Sequence, residues 1–370
     1  MLFTVLVLIS RRVMHTNTSK VGLVLSGGGA KGAYQVGIVR FLAEAGINIQ
    51  AVSGASIGAL NGAIIANAKN LNEASEQLEH LWQLLAIESP LKLNTSSIIP
   101  YLGFAMLMGA ERLSPVAMAT KQAYEKIIDS SVFEGINSYL DGLETSILDH
   151  SPIRDLINRY ITQHQLPNGL PLYVSAYESD GVDVDLFNII MAATGISDTK
   201  ASEFFHVQSF PIEQQQDIIF ASAALPFLFA TQKINGKSYS DGGLGGWQKA
   251  QGNTPITPLI EKEKCTHVIV THLTDGSLWN RYDFPNTTIL EVRPKQPIAK
   301  EAMIKDLLGF KASKINQWID QGYDDAKRCI GNVKRVLDQQ IESKSAIEKR
   351  QVALQELDND GFSLSLFAED

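Results

Sequence analysis

The chain has 370 residues, 45% of them hydrophobic and 19% charged, with a formal net charge of −8. Such a length buries a core without difficulty and fits one large α/β domain with appended helices, or two domains, and the composition is that of a folded chain. The acidic balance argues against a nucleic-acid partner and against broad electrostatic adhesion to anionic membranes. The two cysteines, Cys265 and Cys329, lie far apart and form no metal or disulfide pattern, so they read as reduced core thiols.

Leu2 to Ile9 is apolar and is followed by Ser10-Arg11-Arg12. It is too short to span a bilayer and lacks the basic start and cleavage site of a signal peptide. Residues 1–13 read as a mis-assigned start or a loose tail, within an N-terminal extension over 1–19. Val21 to Ser26 is an apolar strand that ends in Gly27-Gly28-Gly29-Ala30-Lys31-Gly32. A helix follows, with Val36, Val39, Phe41, Leu42 and Ala45 at helical spacing and Gly46 as its cap. Ile47 to Val52 is a second strand, which gives a βαβ unit and a parallel sheet.

The glycine loop literally satisfies the dinucleotide fingerprint G-x-G-x-x-G, but Asn48 to Ser53 carries no acid to hold a ribose. A phosphate P-loop fails too, because Gly32 rather than Ser or Thr follows Lys31. What remains is either a plain glycine turn or a nest of free N–H groups at a helix N-terminus, which an acyl-transfer enzyme needs for its oxyanion. Immediately after the second strand comes Gly54-Ala55-Ser56-Ile57-Gly58, and then a small-residue helix from Ala59 to Ala66. Strand, tight turn and helix is the setting of a nucleophile elbow, with Ser56 at the strained turn and glycines allowing strand and helix to approach.

Further along, residues 71–86 read as a helix with Leu78, Leu81, Trp82 and Leu85 on one side. Ile98 to Met108 is a dense apolar patch, either buried in the core or a lipid-facing lid. Ser114-Pro115 and Ser151-Pro152 open helices at about 115–129 and 152–163. Pro171 to Tyr177 is a strand, with Val184 to Ile190 as its expected hairpin partner across Ser179-Asp180-Gly181. Phe220 to Ala230 is rich in small residues and then strongly apolar. Ile234 to Ser240 is a short strand that turns at Asn235-Gly236 and leads into Asp241-Gly242-Gly243. Thr254-Pro255 opens another helix, Thr266 to Leu273 is a buried strand, and Thr287 to Val292 is the last strand of the sheet. From about 300 onward a helical stripe runs through Ile315, Trp318, Ile319, Tyr323 and Ile330, and Leu354 to Asp370 is a loose tail.

A serine nucleophile needs a base, an oxyanion site, or both. None of the seven histidines completes a convincing triad, although His272 lies near a strand end and stays open as a base. The alternative is a dyad in which a carboxylate takes the serine proton directly. The glycine nest, the G-x-S-x-G elbow and the D-G-G aspartate occur in that order and, with Ala221-Ser222-Ala223-Ala224-Leu225-Pro226 and Leu148 to Arg154, make the chain resemble the patatin-like phospholipase family over roughly residues 20–295.

That resemblance implies a three-layer α/β/α sandwich with a mostly parallel central sheet over 20–295, and a C-terminal helical region and tail over 296–370. It implies Ser56 as nucleophile and Asp241 as its base. The N–H groups of Gly27, Gly28, Gly29 and Ile57 would form the oxyanion hole. Lys31, Gly32, Gly54, Gly58, Gly242 and Gly243 would support nest and elbow. The implied activity is lipid acyl hydrolysis of the phospholipase A or lysophospholipase type, through an acyl-serine intermediate and with no metal or other cofactor. The substrate would be a phospholipid or another acyl-ester lipid, met by a cytoplasmic protein in peripheral contact with a membrane, with a protein activator or secretion as an effector both open. The alternatives are a soluble carboxylesterase or thioesterase, or a partner-gated binding module. One departure stands out: the family runs quickly from D-G-G into an Asn-x-Pro turn, whereas here Leu244 to Gly252 precede Asn253-Thr254-Pro255. The inserted loop puts substrate choice in doubt, and its Trp247 either contacts lipid or packs the loop.

Overall fold

The computed structural model describes residues 20–88, 154–155, 158–161, 165–193, 195–224, 230–274, 276, 278–298, 312–332 and 349–352. The apolar patch Ile98–Met108, the helix at 115–129, Phe227 to Phe229, residues 1–19 and the tail from Leu354 lie outside the described residues, and the helix at 152–163 is described only in part.

The chain opens as read, with β1 (Val21–Leu25), α1 (Ala33–Glu44), β2 (Ala51–Gly54), α2 (Ile57–Asn67) and α3 (Leu71–Glu88). The second strand starts four residues later than its apolar run, because its ladder with β1 begins at Gly22 opposite Ala51. Then follow β3 (Leu172–Glu178), α4 (Val182–Ala193), β4 (Glu203–His206), α5 (Ile212–Ser222), β5 (Gln232–Ile234) and β6 (Lys237–Asp241). The described chain continues through α6 (Thr257–Glu261), β7 (His267–Thr271), β8 (Thr288–Val292) and α7 (Ala312–Ala326). Among the described residues, eight strands form one sheet in the order β5-β6-β3-β2-β1-β7-β8, with β4 also on β3. The run from β3 to β8 is parallel, and β4, β5 and β6 add antiparallel pairings.

Among the described residues, alternation along the strands divides the apolar side chains between two cores. Leu23, Leu25, Val52, Leu172, Val174 and Ile269 face the larger one, which α1, α2, α3, α5 and α7 cover. Val24, Ala51, Tyr173, Val268 and Val270 face a smaller one closed by Ile256, Leu259 and Trp279. The architecture is therefore the expected three-layer sandwich around a mostly parallel sheet.

Two expectations are corrected. Val184–Ile190 is not a strand but part of α4. The stretch Val182-Asp183-Val184-Asp185-Leu186 alternates like a strand, yet the buried residues Asp185, Ile189 and Ala192 follow the three- and four-residue spacing of a helix. Asp185 also accepts from the Asp180 N–H at 3.1 Å and from the Ser179 hydroxyl at 2.5 Å, which ties the start of α4 to the preceding turn. The antiparallel partners of β3 are instead β4 and β6. Likewise, Thr254-Pro255 does not open a helix. The Ser53 hydroxyl donates to the Pro255 carbonyl at 2.6 Å and Thr254 pairs with Ser26, which holds the segment on the sheet, and α6 begins one turn later.

The C-terminal stripe packs on α1 through glycines. A Cβ at Gly37 would stand 1.8 Å from the Ile319 carbonyl oxygen, and one at Gly322 would stand 1.9 Å from that of Tyr34. The helices thus touch backbone to backbone. Beside this contact the buried Asp325 accepts from the Tyr34 hydroxyl and from the Lys295 N–H, both at 3.0 Å. Gly322→Ala must push the helices apart and is expected to cost at least about 2 kcal/mol. A thermal melt reads this as a fall of roughly 5 °C or more, and an unchanged melting point would mean that α7 is not docked on α1 in solution.

Candidate active site

The glycine nest leaves the C-terminal end of β1, and Ser56 leaves that of β2. Asp241 closes β6 on the other side of β3. Register brings them together: Gly54 pairs with Val174 and Asp241 with Ala176, so the elbow and the aspartate flank the same stretch of β3. Two strand spacings separate their backbones, roughly 10 Å, a gap that two side chains directed at each other can close.

Ser56 has φ 52° and ψ −125° and caps α2, an unfavourable backbone for a residue with a Cβ. The turn is this tight because both flanking glycines are pressed on backbone. A Cβ at Gly54 would lie 2.3 Å from the Gly58 carbonyl oxygen, and one at Gly58 would lie 2.1 Å from that of Leu25. Gly32 supports the same turn, since a Cβ there would meet the Ile57 side chain at 2.6 Å. Among the described residues the N–H groups of Gly27, Gly28, Gly29 and Ile57 donate no hydrogen bond, so they remain available to an anion near Ser56. A Cβ at Gly27 would sit 3.0 Å from the Ser56 Cβ, which places the nest directly beside the serine. Lys31 runs back along the nest, its Cε 3.2 Å from the position of a Gly28 Cβ.

Asp241 is buried, and its Oδ1 accepts the Gly243 N–H at 2.8 Å. Gly242 lets the chain turn against β3, since a Cβ there would lie 2.2 Å from the Ser175 carbonyl oxygen. Burial pushes the Asp241 carboxyl up to about 6, and the Ser56 hydroxyl and the Gly243 N–H oppose that rise by stabilising its charge. The other oxygen, Oδ2, has no hydrogen bond of normal geometry. Serine and carboxyl are thus close enough to interact but are not locked together. His272, the other base left open by the sequence, has its Nε2 3.0 Å from Glu291.

The inserted loop turns back on itself. The Gly252 N–H donates to the Gly245 carbonyl at 2.9 Å, and a Cβ at Gly252 would lie 2.0 Å from the Gly242 carbonyl oxygen. Asn253 is thereby returned to the site, its Oδ1 2.6 Å from where a Gly27 Cβ would be and 3.0 Å from a Gly243 Cβ. The side chain bridges the nest and the aspartate motif despite the insertion. Trp247 is buried and packs the loop.

Sequence reasoning missed the layer beneath. Asn61, in the middle of the apolar helix α2, donates to the Gly32 carbonyl at 3.2 Å and to the Gln35 side chain at 2.9 Å, and accepts from the Trp82 indole at 3.0 Å. Gln35 in turn donates to the Ser26 carbonyl at 2.8 Å. This buried network links both ends of the nest to the elbow helix. An amide inside an otherwise apolar, small-residue helix was the available signal, since a buried amide needs partners.

A parallel α/β sheet with a serine on a strained strand-to-helix turn, and a buried carboxyl within reach of it, has the architecture of a serine hydrolase. The family model described as patatin-like phospholipase matches residues 23–260. The chain belongs to the patatin-like phospholipase family, a family of serine ester hydrolases. The neuropathy target esterase of Drosophila persimilis is 40% identical over an alignment of 80 residues that covers 19% of this chain and 6% of that protein. The chain therefore matches only a small part of the length of these curated relatives. Among solved structures, VipD from Legionella pneumophila superposes with a TM-score of 0.40 at 14% identity, over 85% of this chain and 67% of that one. ExoU in complex with SpcU from the type III secretion system of Pseudomonas aeruginosa gives a TM-score of 0.33 at 15% identity, over 84% and 53%.

Proposed function

We propose that this protein is a lipid acyl hydrolase that works through a Ser56–Asp241 dyad. The observation that carries the reading is the buried Asp241 carboxyl interacting with a serine on a strained elbow. Asp241 takes the proton from Ser56 as Oγ attacks the ester carbonyl carbon. The negative charge moves to the carbonyl oxygen, where the free N–H groups of Gly27, Gly28, Gly29 and Ile57 receive it. The tetrahedral adduct collapses, and the departing alkoxide takes the proton from Asp241, leaving an acyl-Ser56. Water then attacks the acyl carbon and gives its proton to Asp241. The Ser56 oxygen leaves and recovers that proton, and a fatty acid is released.

Family membership and the esterase name of the Drosophila relatives support ester hydrolysis. Membrane phospholipid is the substrate we propose, reached by peripheral contact. No helix among the described residues is long and apolar enough to cross a bilayer.

Two measurements test this reading. Fatty acid released from mixed phospholipid vesicles is expected for the wild type and absent for Ser56→Ala. Activity is expected to rise with pH through about 6 and level off above it, because only the ionised Asp241 can accept the proton and burial holds its carboxyl there. Preference for monomeric short-chain esters over vesicles would sink the lipid assignment. A rate already at its plateau at pH 4 would remove Asp241 as the base.

A further inference from the structure

The reacting pair sits on two strands with β3 between them, and no direct hydrogen bond of normal geometry fixes their separation. The C-terminal end of α5 touches both. The Ser56 N–H donates to the Ser222 hydroxyl oxygen at 3.0 Å, and the Asp241 N–H donates to the Ala224 carbonyl at 2.9 Å. Two residues of one tight turn therefore hold the backbone of the nucleophile and that of its partner. The turn itself is short and closed: the Ala223 N–H donates to the Phe220 carbonyl at 3.1 Å and the Ala224 N–H to that of Ala221 at 3.3 Å. Ser222 is fully buried, with no exposed surface.

Each contact has a physical consequence. Ser56 holds an unfavourable positive φ, and a hydrogen bond to its own N–H is a direct way to hold that conformation. Asp241 is the last residue of β6, and its N–H goes to the turn after α5 rather than to a strand. The backbones of both residues are thus tied to the end of α5 and the turn after it, outside either motif.

We infer that Ser222 is a positioning residue, which with the Ala224 carbonyl brackets Ser56 and Asp241 at their reactive separation. This rests on the reading of Ser56 and Asp241 as the reacting pair. The bracket does not touch the substrate; it acts through the backbone of the two residues that do.

The test is the rate and final extent of labelling of the full chain by a fluorophosphonate. In that reaction the Ser56 oxygen bonds to phosphorus, fluoride leaves and Asp241 takes the hydroxyl proton. Ser222→Ala is expected to label completely at Ser56 but roughly 10- to 100-fold more slowly, the scale of penalty for a small misplacement of a reacting group. Ser222→Thr keeps the accepting oxygen and is expected to label close to the wild-type rate. A merely structural role predicts a different pattern: part of the Ser222→Ala sample unfolded and unlabelled, and the rest labelling at the wild-type rate. That pattern, or complete labelling at the wild-type rate, would overturn the bracket while leaving the dyad standing. Wild-type protein that never labels at Ser56 would sink the dyad and the bracket with it.

Discussion

Asp241→Asn is expected to abolish hydrolysis and to stabilise the fold at neutral pH. The loss of activity follows from the chemistry: an amide cannot accept the Ser56 proton, and removing a catalytic base typically costs about 1000-fold or more. The gain in stability follows from burial, which raises the carboxyl from 3.8 to about 6. Between those values the folded protein still holds a proton that the unfolded chain has released, so stability falls as pH rises through this window. Below about pH 4 both states are protonated and the penalty vanishes; above about 6 it is present in full. A shift of this size corresponds to something on the order of 3 kcal/mol. Asparagine carries no charge at any pH and keeps an oxygen for the Gly243 N–H. The variant is therefore expected to melt above the wild type at pH 8 and level with it at pH 4. Melting curves at the two pH values, paired with a fatty-acid assay, measure both effects. Equal melting points at pH 8 would mean that Asp241 is not desolvated as its burial indicates.

The second large effect is expected at the elbow. Gly58→Ala places a methyl group 2.1 Å from the Leu25 carbonyl oxygen. The obstacle is strand backbone, which cannot turn aside as a flexible side chain would. Either α2 lifts from β1 or the elbow opens, and both displace Ser56. The cost to stability is about 3 kcal/mol or more, at the upper end for overpacking. The cost to the rate is roughly 100-fold in the molecules that stay folded. Gly46→Ala makes the fitting control. Gly46 has a positive φ, 65°, which Gly58 does not, but nothing lies within 4 Å of its missing Cβ. Its backbone strain costs about 1 kcal/mol, and hydrolysis per folded molecule stays at the wild-type level. If Gly58→Ala matches the control in both melting point and rate, the close approach of α2 to β1 is not what shapes the elbow.

The two variants together describe a site whose parts work against stability. A carboxyl is buried at a cost, and a serine is held at a strained φ; each serves the proposed chemistry and is unfavourable to the fold. The compensation lies around them, in the Gln35–Asn61–Trp82 network, in Asn253 between the two glycine motifs, and in the contacts of Ser222 and Ala224.

What could be read from the sequence was local. The β1 run, the glycine loop, the elbow and the aspartate motif are stretches of up to about six residues whose glycines have local steric meaning, so together they carried the resemblance to the family, and that resemblance implied Ser56 and Asp241. Local pattern also misled where it had two meanings. Val184 to Ile190 after Ser179-Asp180-Gly181 suggested the second strand of a hairpin, while the turn before it and the burial of Asp185 made a helix. The rest depended on residues far apart in the chain. Ser222 lies 166 residues from Ser56, and Asp325 lies 291 from Tyr34. Asn253 reaches the nest only because the inserted loop closes on itself. By itself, then, the sequence determined the motifs from which we propose the reacting residues, because glycine sterics and the chemistry of serine and carboxylate belong to short segments. Only the tertiary structure decided how close the two come and what keeps them there, because that separation is set by strand register and by hydrogen bonds between segments that the chain brings together only on folding.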